Sequence, residues 1–216
     1  MGTETEMSLV EMTVRDFTGK LESAAPAPGG GSAAALSGAL GAALVSMVCK
    51  LTMGKSKYAE YEIFVQGVLA RSEKLTKKLL DTIQTDSDAF DSVITAFAMP
   101  KETEEQKIAR SVAVQSAYKT AVASPEMMAE DCLAVVELAE SLFGKSNANA
   151  VSDLAVGAMQ AHAGLKGALA NVQINLPLIK DTVYVAEKRA WMERVAKESA
   201  RRLQILEAEI ARQLGL

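Results

Sequence analysis

The sequence predicts an all-α protein, a single-domain helical bundle over residues 1–216 that ends in a long C-terminal helix. Three observations predict this fold class. Long stretches rich in Ala, Leu, Glu and Lys, with only five prolines in the chain, favour helix over sheet. Apolar residues recur at steps of three and four, and no stretch of useful length alternates as a β-strand does. A length of 216 residues suits one sizeable core.

Glycines, prolines and capping residues divide the chain into seven predicted helices. They span residues 13–23, 32–53, 58–98, 103–123, 124–144, 147–175 and 181–214. The run Pro-Ala-Pro-Gly-Gly-Gly at 26–31 must form a loop, and Ser32 is predicted to cap the second helix. Residues 33–49 of that helix carry no charge. Because small residues dilute this run and no aromatic residues flank it, we expect a buried core helix rather than a membrane span.

The later boundaries rest on caps and prolines. Pro100 ends the third helix, and Thr103 with Gln106 forms a capping box for the fourth. The pair Ser124-Pro125 is predicted to start a fifth helix, and Pro177 halts the sixth.

The last helix is long and charged, with an apolar edge. The edge consists of Val195, Leu203, Leu206, Ile210 and Leu214. Two interpretations stay open: the edge packs on a second copy of the chain, or it packs across its own bundle. The first predicts a homodimer.

Composition excludes several classes of function. A net charge of −4 gives the whole protein no attraction to nucleic acid or to an anionic membrane. The polar, acidic start of the chain does not resemble a signal peptide, so we expect a cytoplasmic protein. Cys49 and Cys132 are expected to be buried thiols in a reducing compartment. His162 is the only histidine, which is too few for a His/Cys metal site and argues against a His-bearing nucleophilic triad. We therefore expect neither a metal nor a cofactor.

Asp86 is the strongest catalytic candidate because it interrupts an apolar helical face. That face consists of Leu75, Leu79, Ile83, Phe90, Val93 and Phe97. A carboxyl group that faces a core has a raised pKa, which suits a general acid working near neutrality. The alternative is that Thr85 caps a separate helix, with Asp88 completing a weak capping box. Asp86 is then only a favourable charge in the first turn.

Two further segments are candidate binding elements. Gly29, Gly30, Gly31 and Ser32 open a helix, where free N–H groups suit an anionic or carbonyl-bearing ligand. The run matches neither a Walker loop nor a dinucleotide fingerprint. Lys55 and Lys57 form a basic turn, which we expect to lie beside this helix end and to hold carboxylates of a substrate tail.

A face of small and polar residues runs along the predicted helix at 153–175. It consists of Asp153, Gly157, Gln160, Gly164, Gly167, Asn171 and Asn175. Each mid-helix glycine costs roughly 1 kcal/mol relative to alanine, so three on one face need a reason. Close helix packing is one interpretation and a ligand groove is the other. Asn171 and Asn175 favour the groove.

Five motifs together resemble the cyclodeaminase domain of formiminotransferase-cyclodeaminase. They are Pro26-Ala-Pro-Gly-Gly-Gly-Ser32, Ser46-Met-Val-Cys49, Asp86-Ser-Asp-Ala-Phe90, Ser152-Asp-Leu154 and Asn171-Val-Gln-Ile-Asn-Leu176. The similarity extends over about Val10 to Leu214 and includes no formiminotransferase domain, so it implies the standalone form. The family includes standalone cyclodeaminases and a methenyltetrahydrofolate cyclohydrolase.

The resemblance implies an all-α, usually dimeric enzyme acting on a tetrahydrofolate that carries a one-carbon unit. The family's catalytic aspartate falls on Asp86. The expected activity is a formiminotetrahydrofolate cyclodeaminase, which converts 5-formiminotetrahydrofolate to 5,10-methenyltetrahydrofolate and releases ammonia. The alternative is 5,10-methenyltetrahydrofolate cyclohydrolase, and Asp86 alone does not decide between the two. A third possibility is a non-catalytic folate-binding module.

The expected site therefore combines one catalytic residue with nine binding residues. Asp86 donates and accepts the proton. The pterin and one-carbon unit are positioned by Gly29, Gly30, Gly31, Ser32, Asp153, Asn171 and Asn175. Lys55 and Lys57 meet the glutamate tail of a polyglutamylated substrate.

Overall fold

The computed structural model describes residues 8–214, apart from the side chains of Ser87, Ala89, Phe90 and Leu214. Within these residues the secondary structure is helical, without a strand. The long elements are α1 (Val14–Glu22), α2 (Gly30–Thr52), α3 (Glu62–Ala98), α4 (Glu104–Ser141), α5 (Val151–Asn175) and α6 (Thr182–Leu214). Short 3₁₀ turns span Leu9–Glu11, Ser56–Tyr61, Ala148–Ala150 and Leu176–Leu178. The prediction of an all-α bundle with a long C-terminal helix is confirmed.

Helix α2 packs mainly between α3 and α5. Its small residues let the neighbouring backbone approach closely. A Cβ atom on Gly164 of α5 would lie 2.7 Å from the carbonyl oxygen of Ala34 and 2.9 Å from the nitrogen of Gly38. Close packing therefore explains the mid-helix glycines of α5.

By length and composition alone, α2 qualifies as a membrane span. In the bundle, 61% of its most apolar 18-residue window is buried against other helices. This burial agrees with the expected core helix. The two cysteines, Cys49 on α2 and Cys132 on α4, are buried and free, as predicted.

The predicted boundary at Ser124-Pro125 is wrong, and so is the alternative boundary at Thr85. Helix α3 continues for 37 residues through Thr85, whose hydroxyl donates to the carbonyl of Asp81 instead of capping a new helix. Helix α4 likewise continues for 38 residues with Pro125 inside it. Packing of α4 along α3 and α5 stabilises the continuous helix despite the missing N–H of proline. The capping box of Thr103 and Gln106 is confirmed.

The apolar edge of α6 packs across its own bundle. Val195, Leu206 and Ile210 are buried, and Leu203 is half-buried; the side chain of Leu214 lies outside the described set. The homodimer stays a prediction. His162 of α5 bonds to the buried Ser199 of α6 (Nδ1 to Oγ 2.7 Å), and burial lowers the pKa of its imidazole.

Candidate functional site

A cavity of about 370 Å³ opens where the start of α2, the C-terminal half of α3, the N-terminal half of α4 and the end of α5 converge. Its walls are formed by Pro26, Ala27, Gly29, Gly30, Gly31, Asp86, Val93, Tyr118, Ala121, Asn171, Ile174, Asn175 and Leu178. Segments far apart in sequence therefore contribute to one site. Six of the predicted site residues line it directly: three glycines, Asp86 and two asparagines.

Asp86 places its carboxyl group against the first turn of α2. A Cβ atom on Gly31 would overlap that carboxyl group, so only glycine leaves room for it. Burial raises the pKa of Asp86, and the backbone N–H of Ser32 partly opposes this by hydrogen bonding to the charged form. The net direction is upward. Because α3 is continuous here, Asp86 is a mid-helix carboxyl group with restricted solvent and not a residue in the first turn of a helix.

Ser32 joins α2 to α3 instead of capping α2. The helix begins at Gly30 with Gly29 as the N-cap, so the predicted cap at Ser32 is wrong. Its buried hydroxyl donates to the carbonyl of Ile83 at 3.0 Å, one turn before Asp86. The side chain and the backbone N–H of Ser32 thus fix the spacing between the glycine run and the carboxyl group.

Asn171 and Asn175 present acceptor atoms to the cavity. The Nδ2 of Asn171 donates to the carbonyl of Gly167 (2.9 Å), and the Nδ2 of Asn175 donates to the carbonyl of Asn171 (2.8 Å). Each amide is therefore anchored on its own helix through its nitrogen. The Oδ1 atoms remain available to hydrogen-bond donors of a ligand. The groove interpretation thus describes the end of α5, whereas close packing describes its middle.

An apolar and aromatic wall faces these polar groups. This wall consists of Tyr118 and Val93, together with Ile174 at the end of α5 and Leu178 in the 3₁₀ turn that follows. The ring of Tyr118 packs edge-on to that of Phe97, with the ring centroids 6.1 Å apart. The sequence does not predict these lining residues as a set, although Val93 lies with Phe97 on the apolar face that Asp86 interrupts. Tyr118 carries no local signal, because its role depends on how α4 lies across α3 and α5. Ile174 is 72% exposed, so the wall is open to solvent.

Three predicted binding residues lie away from the cavity. Lys55 and Lys57 follow the C-terminal end of α2, and the 23 residues of that helix are about 34 Å long. The expectation that they lie beside the glycine run is therefore wrong. Lys57 instead lines a separate cavity with Tyr58 and Phe143. Asp153 lies in the first turn of α5, at the opposite end from Asn171 and Asn175.

The cavity supplies acid/base and hydrogen-bonding chemistry from its own side chains. One carboxyl group with a raised pKa faces two amide oxygens and a set of helix-start N–H groups. In the described part of the chain, no three His, Cys, Asp or Glu side chains converge as a metal site would require. Proton transfer to or from a polar ligand is the chemistry that this arrangement can perform.

Comparison with known proteins yields a consistent group of relatives. The sequence model of a family described as formiminotransferase-cyclodeaminase matches residues 13–194. The chain is 44% identical to methenyltetrahydrofolate cyclohydrolase of Methylorubrum extorquens, over 87% of this chain and 90% of that protein. It is 32% identical to formimidoyltransferase-cyclodeaminase of Sus scrofa, over 90% of this chain but only 36% of that protein. The crystal structure of formiminotetrahydrofolate cyclodeaminase from Thermotoga maritima superposes with a TM-score of 0.78 at 25% identity, covering 95% of this chain and 96% of that one.

Proposed function

The chain belongs to the formiminotransferase-cyclodeaminase family, and on that premise we propose that it is an enzyme of folate one-carbon metabolism with its active site at Asp86. Two candidate reactions share one compound, 5,10-methenyltetrahydrofolate. One reaction opens its ring with water, and the other forms the ring with loss of ammonia. Both need a group that moves a proton at the one-carbon unit, and Asp86 is the titratable group with a raised pKa in the cavity.

The first candidate is 5,10-methenyltetrahydrofolate cyclohydrolase. The observation that carries it is the 44% identity to a protein of that name over nearly the full length of both chains. Water adds to the methenyl carbon, a C–O bond forms, and one C–N bond then breaks. In this direction the ionised Asp86 takes one proton from the attacking water and passes it to the leaving ring nitrogen, and the second proton of the water is released as the C=O bond forms.

The second candidate is the cyclodeaminase reaction. It is favoured by the similarity to a standalone cyclodeaminase of matching length and fold. Here N10 attacks the formimino carbon held on N5, the ring closes, and the C–N bond to the leaving amine breaks. The protonated Asp86 donates one proton to that nitrogen, the proton lost by N10 supplies its third hydrogen, and ammonia departs. If this reaction is the one catalysed, the protein is a lyase, whereas the cyclohydrolase reaction makes it a hydrolase.

The cavity walls support a folate as substrate. The pterin of a tetrahydrofolate carries several N–H donors at its edge, and the Oδ1 atoms of Asn171 and Asn175 are acceptors turned away from their own helix. The Tyr118 wall offers apolar contact to flat rings. Gly29, Gly30 and Gly31 let backbone approach the ligand closely. We assign no role in this cavity to Asp153, Lys55 or Lys57.

A homodimer is part of the proposal. Its support is the outer face of α2, where Leu40, Met47 and Leu51 are each at least 36% exposed on a helix that carries no charge before Lys50. Apolar side chains in register on one helix face are typical of a surface covered by another subunit. Sedimentation equilibrium of the purified chain tests it, and a monomer at micromolar concentration would contradict it.

The decisive experiment offers the purified protein both substrates separately. With 5,10-methenyltetrahydrofolate, accelerated loss of methenyl absorbance over the uncatalysed rate supports the cyclohydrolase. With 5-formiminotetrahydrofolate, rising methenyl absorbance and release of ammonia support the cyclodeaminase. A folded protein that turns over neither compound, but binds either in a fluorescence titration, would instead be a non-catalytic folate-binding module.

A further inference from the structure

Arg110 lies at the outer end of the aromatic wall, close to the cavity without lining it. Its guanidinium stacks over the ring of Phe97, with Cζ 5.2 Å from the ring centroid. Phe97 in turn packs against Tyr118, which lines the cavity. From the cavity outward along the hairpin of α3 and α4, the order is therefore Tyr118, then Phe97, then the guanidinium of Arg110.

The guanidinium is held in place by the protein. Both Nε and Nη2 of Arg110 donate to the carbonyl oxygen of Phe97, at 3.2 and 3.1 Å. These two bonds use two of the five N–H donors of an arginine, so the remaining three are directed elsewhere. Arg110 forms no ion pair with any carboxylate among the residues that the structure describes. A half-buried, positioned cation with free donors suits a carboxylate ligand.

Other cations near the cavity are less suited. Lys119, the residue after Tyr118, already pairs with Asp181 at 2.8 Å. Lys180, two residues beyond the lining Leu178, is exposed, and its only described hydrogen bond is made by its backbone nitrogen. A flexible exposed lysine loses more side-chain entropy than the anchored arginine when either binds a carboxylate.

We propose that Arg110 is the binding residue for a carboxylate of the substrate's glutamate tail. The aromatic ring of the substrate that is attached to this glutamate packs against Phe97 and Tyr118. The inference rests on the proposed folate substrate. It gives the tail a place within the α3–α4 hairpin, about 16 Å along α3 from Asp86 to Phe97. The bound substrate then extends from the reacting carbon at Asp86 along the hairpin to the cation.

The test compares two substrates in three proteins. The substrates are the folate that wild type turns over, 5,10-methenyltetrahydrofolate or 5-formiminotetrahydrofolate, and the pteroyl analogue of that compound, which lacks the glutamate. The proteins are wild type, Arg110→Gln and Lys180→Gln, the last making the same charge change on an unanchored side chain. Glutamine keeps a donor for the carbonyl of Phe97, and circular dichroism verifies that each variant is folded.

Wild type and Lys180→Gln are expected to prefer the glutamate-bearing substrate, whereas Arg110→Gln loses about tenfold of that preference through KM. A purely structural role would lower kcat/KM equally for both substrates and would overturn the inference. So would an unchanged preference in Arg110→Gln, or a loss of preference in Lys180→Gln alone. If wild type turns over neither 5,10-methenyltetrahydrofolate nor 5-formiminotetrahydrofolate, the proposed function fails and this inference fails with it. Activity with an unaltered preference in Arg110→Gln overturns only the inference.

Discussion

The carboxyl group of Asp86 lies against the α-carbon of Gly31, in space that any side chain at residue 31 would fill. This relationship joins the two strongest signals of the sequence, the glycine run and the core-facing carboxylate. The glycine run makes room for the acid, and the N–H of Ser32 contacts it. The two features form one structural unit, although 55 residues separate them in the chain.

Gly31→Ala is expected to reduce turnover strongly while leaving the fold intact. The new Cβ displaces the Asp86 carboxyl group, and a shift of about 1 Å at a catalytic group costs on the order of 100-fold in rate. The measurement is kcat for the preferred substrate. Gly67→Ala on α3 is the matched control, because its Cβ meets open space. Equal activity of both variants would show that the Gly31 contact does not position the acid.

Asp86→Asn is expected to lower kcat by about 10²- to 10⁴-fold, the usual contribution of a general acid or base. The pH–rate profile of wild type also separates the two reactions. A base in ring hydrolysis gives a rate that rises as pH rises through the raised pKa of Asp86, and an acid in deamination gives the opposite slope. Asp88→Asn, an exposed carboxylate on the other face of α3, serves as control. Comparable losses in both variants would contradict the assignment.

Asp86→Asn is expected to stabilise the protein at neutral pH. Because the folded state raises the pKa of Asp86 above its ordinary 3.8, the folded state binds this proton more tightly than the unfolded chain does. Stability from this group is therefore fully present below 3.8 and is lost as pH rises through the folded pKa. Asn cannot ionise and avoids that loss.

Thermal unfolding of wild type and Asp86→Asn between pH 3 and 8 tests this sign. The variant should melt higher at neutral pH, by roughly 2–4 °C for each kcal/mol of penalty removed, and the difference should vanish in acid. A variant that melts lower at pH 7 would mean that the ionised carboxylate is stabilised by its surroundings.

The sequence predicted the helices and Asp86 because both depend on local periodicity. Steps of three and four are set by the helix itself, and Asp86 interrupts such a pattern whatever packs against it. The same local reasoning failed at Pro125 and Thr85. Their intrinsic preference is to start a helix, but neighbouring helices stabilise continuation through both.

Local periodicity does not predict which segments that are distant in sequence lie side by side in the fold. Lys55 and Lys57 were expected beside the glycine run, yet they lie past the other end of α2. The bounds of this helix were predicted nearly correctly, so the error is that the two ends of a helix about 34 Å long were placed side by side. Tyr118 reaches the cavity only because α4 crosses near the end of α5. No spacing within α4 encodes that crossing. The face of α5 was ambiguous for a related reason: its glycines contact α2, whereas its last two asparagines extend beyond the contact.

Asn171→Leu is expected to raise KM about tenfold, with a smaller effect on kcat. The leucine keeps the volume of the side chain but removes the Oδ1 acceptor that we assign to a donor of the pterin, a loss of ~1.4 kcal/mol. Gln173→Leu removes an amide from an exposed position on the same helix end that does not line the cavity. A higher KM in Gln173→Leu, or an unchanged KM in Asn171→Leu, would argue against amide recognition.

Gly164→Ala is expected to destabilise the bundle by about 1–3 kcal/mol, the range found for overpacked cores. Its Cβ would lie 2.7 Å from the carbonyl oxygen of Ala34, and backbone cannot move aside as a side chain can. Urea unfolding measures the loss, and Gly67→Ala should instead gain up to about 1 kcal/mol from helix propensity. Gly164 lies about two turns before Asn171 on α5, so separating α5 from α2 also widens the cavity. Activity should therefore fall together with stability, and a variant as stable and active as wild type would show that α2 and α5 are not in backbone contact there.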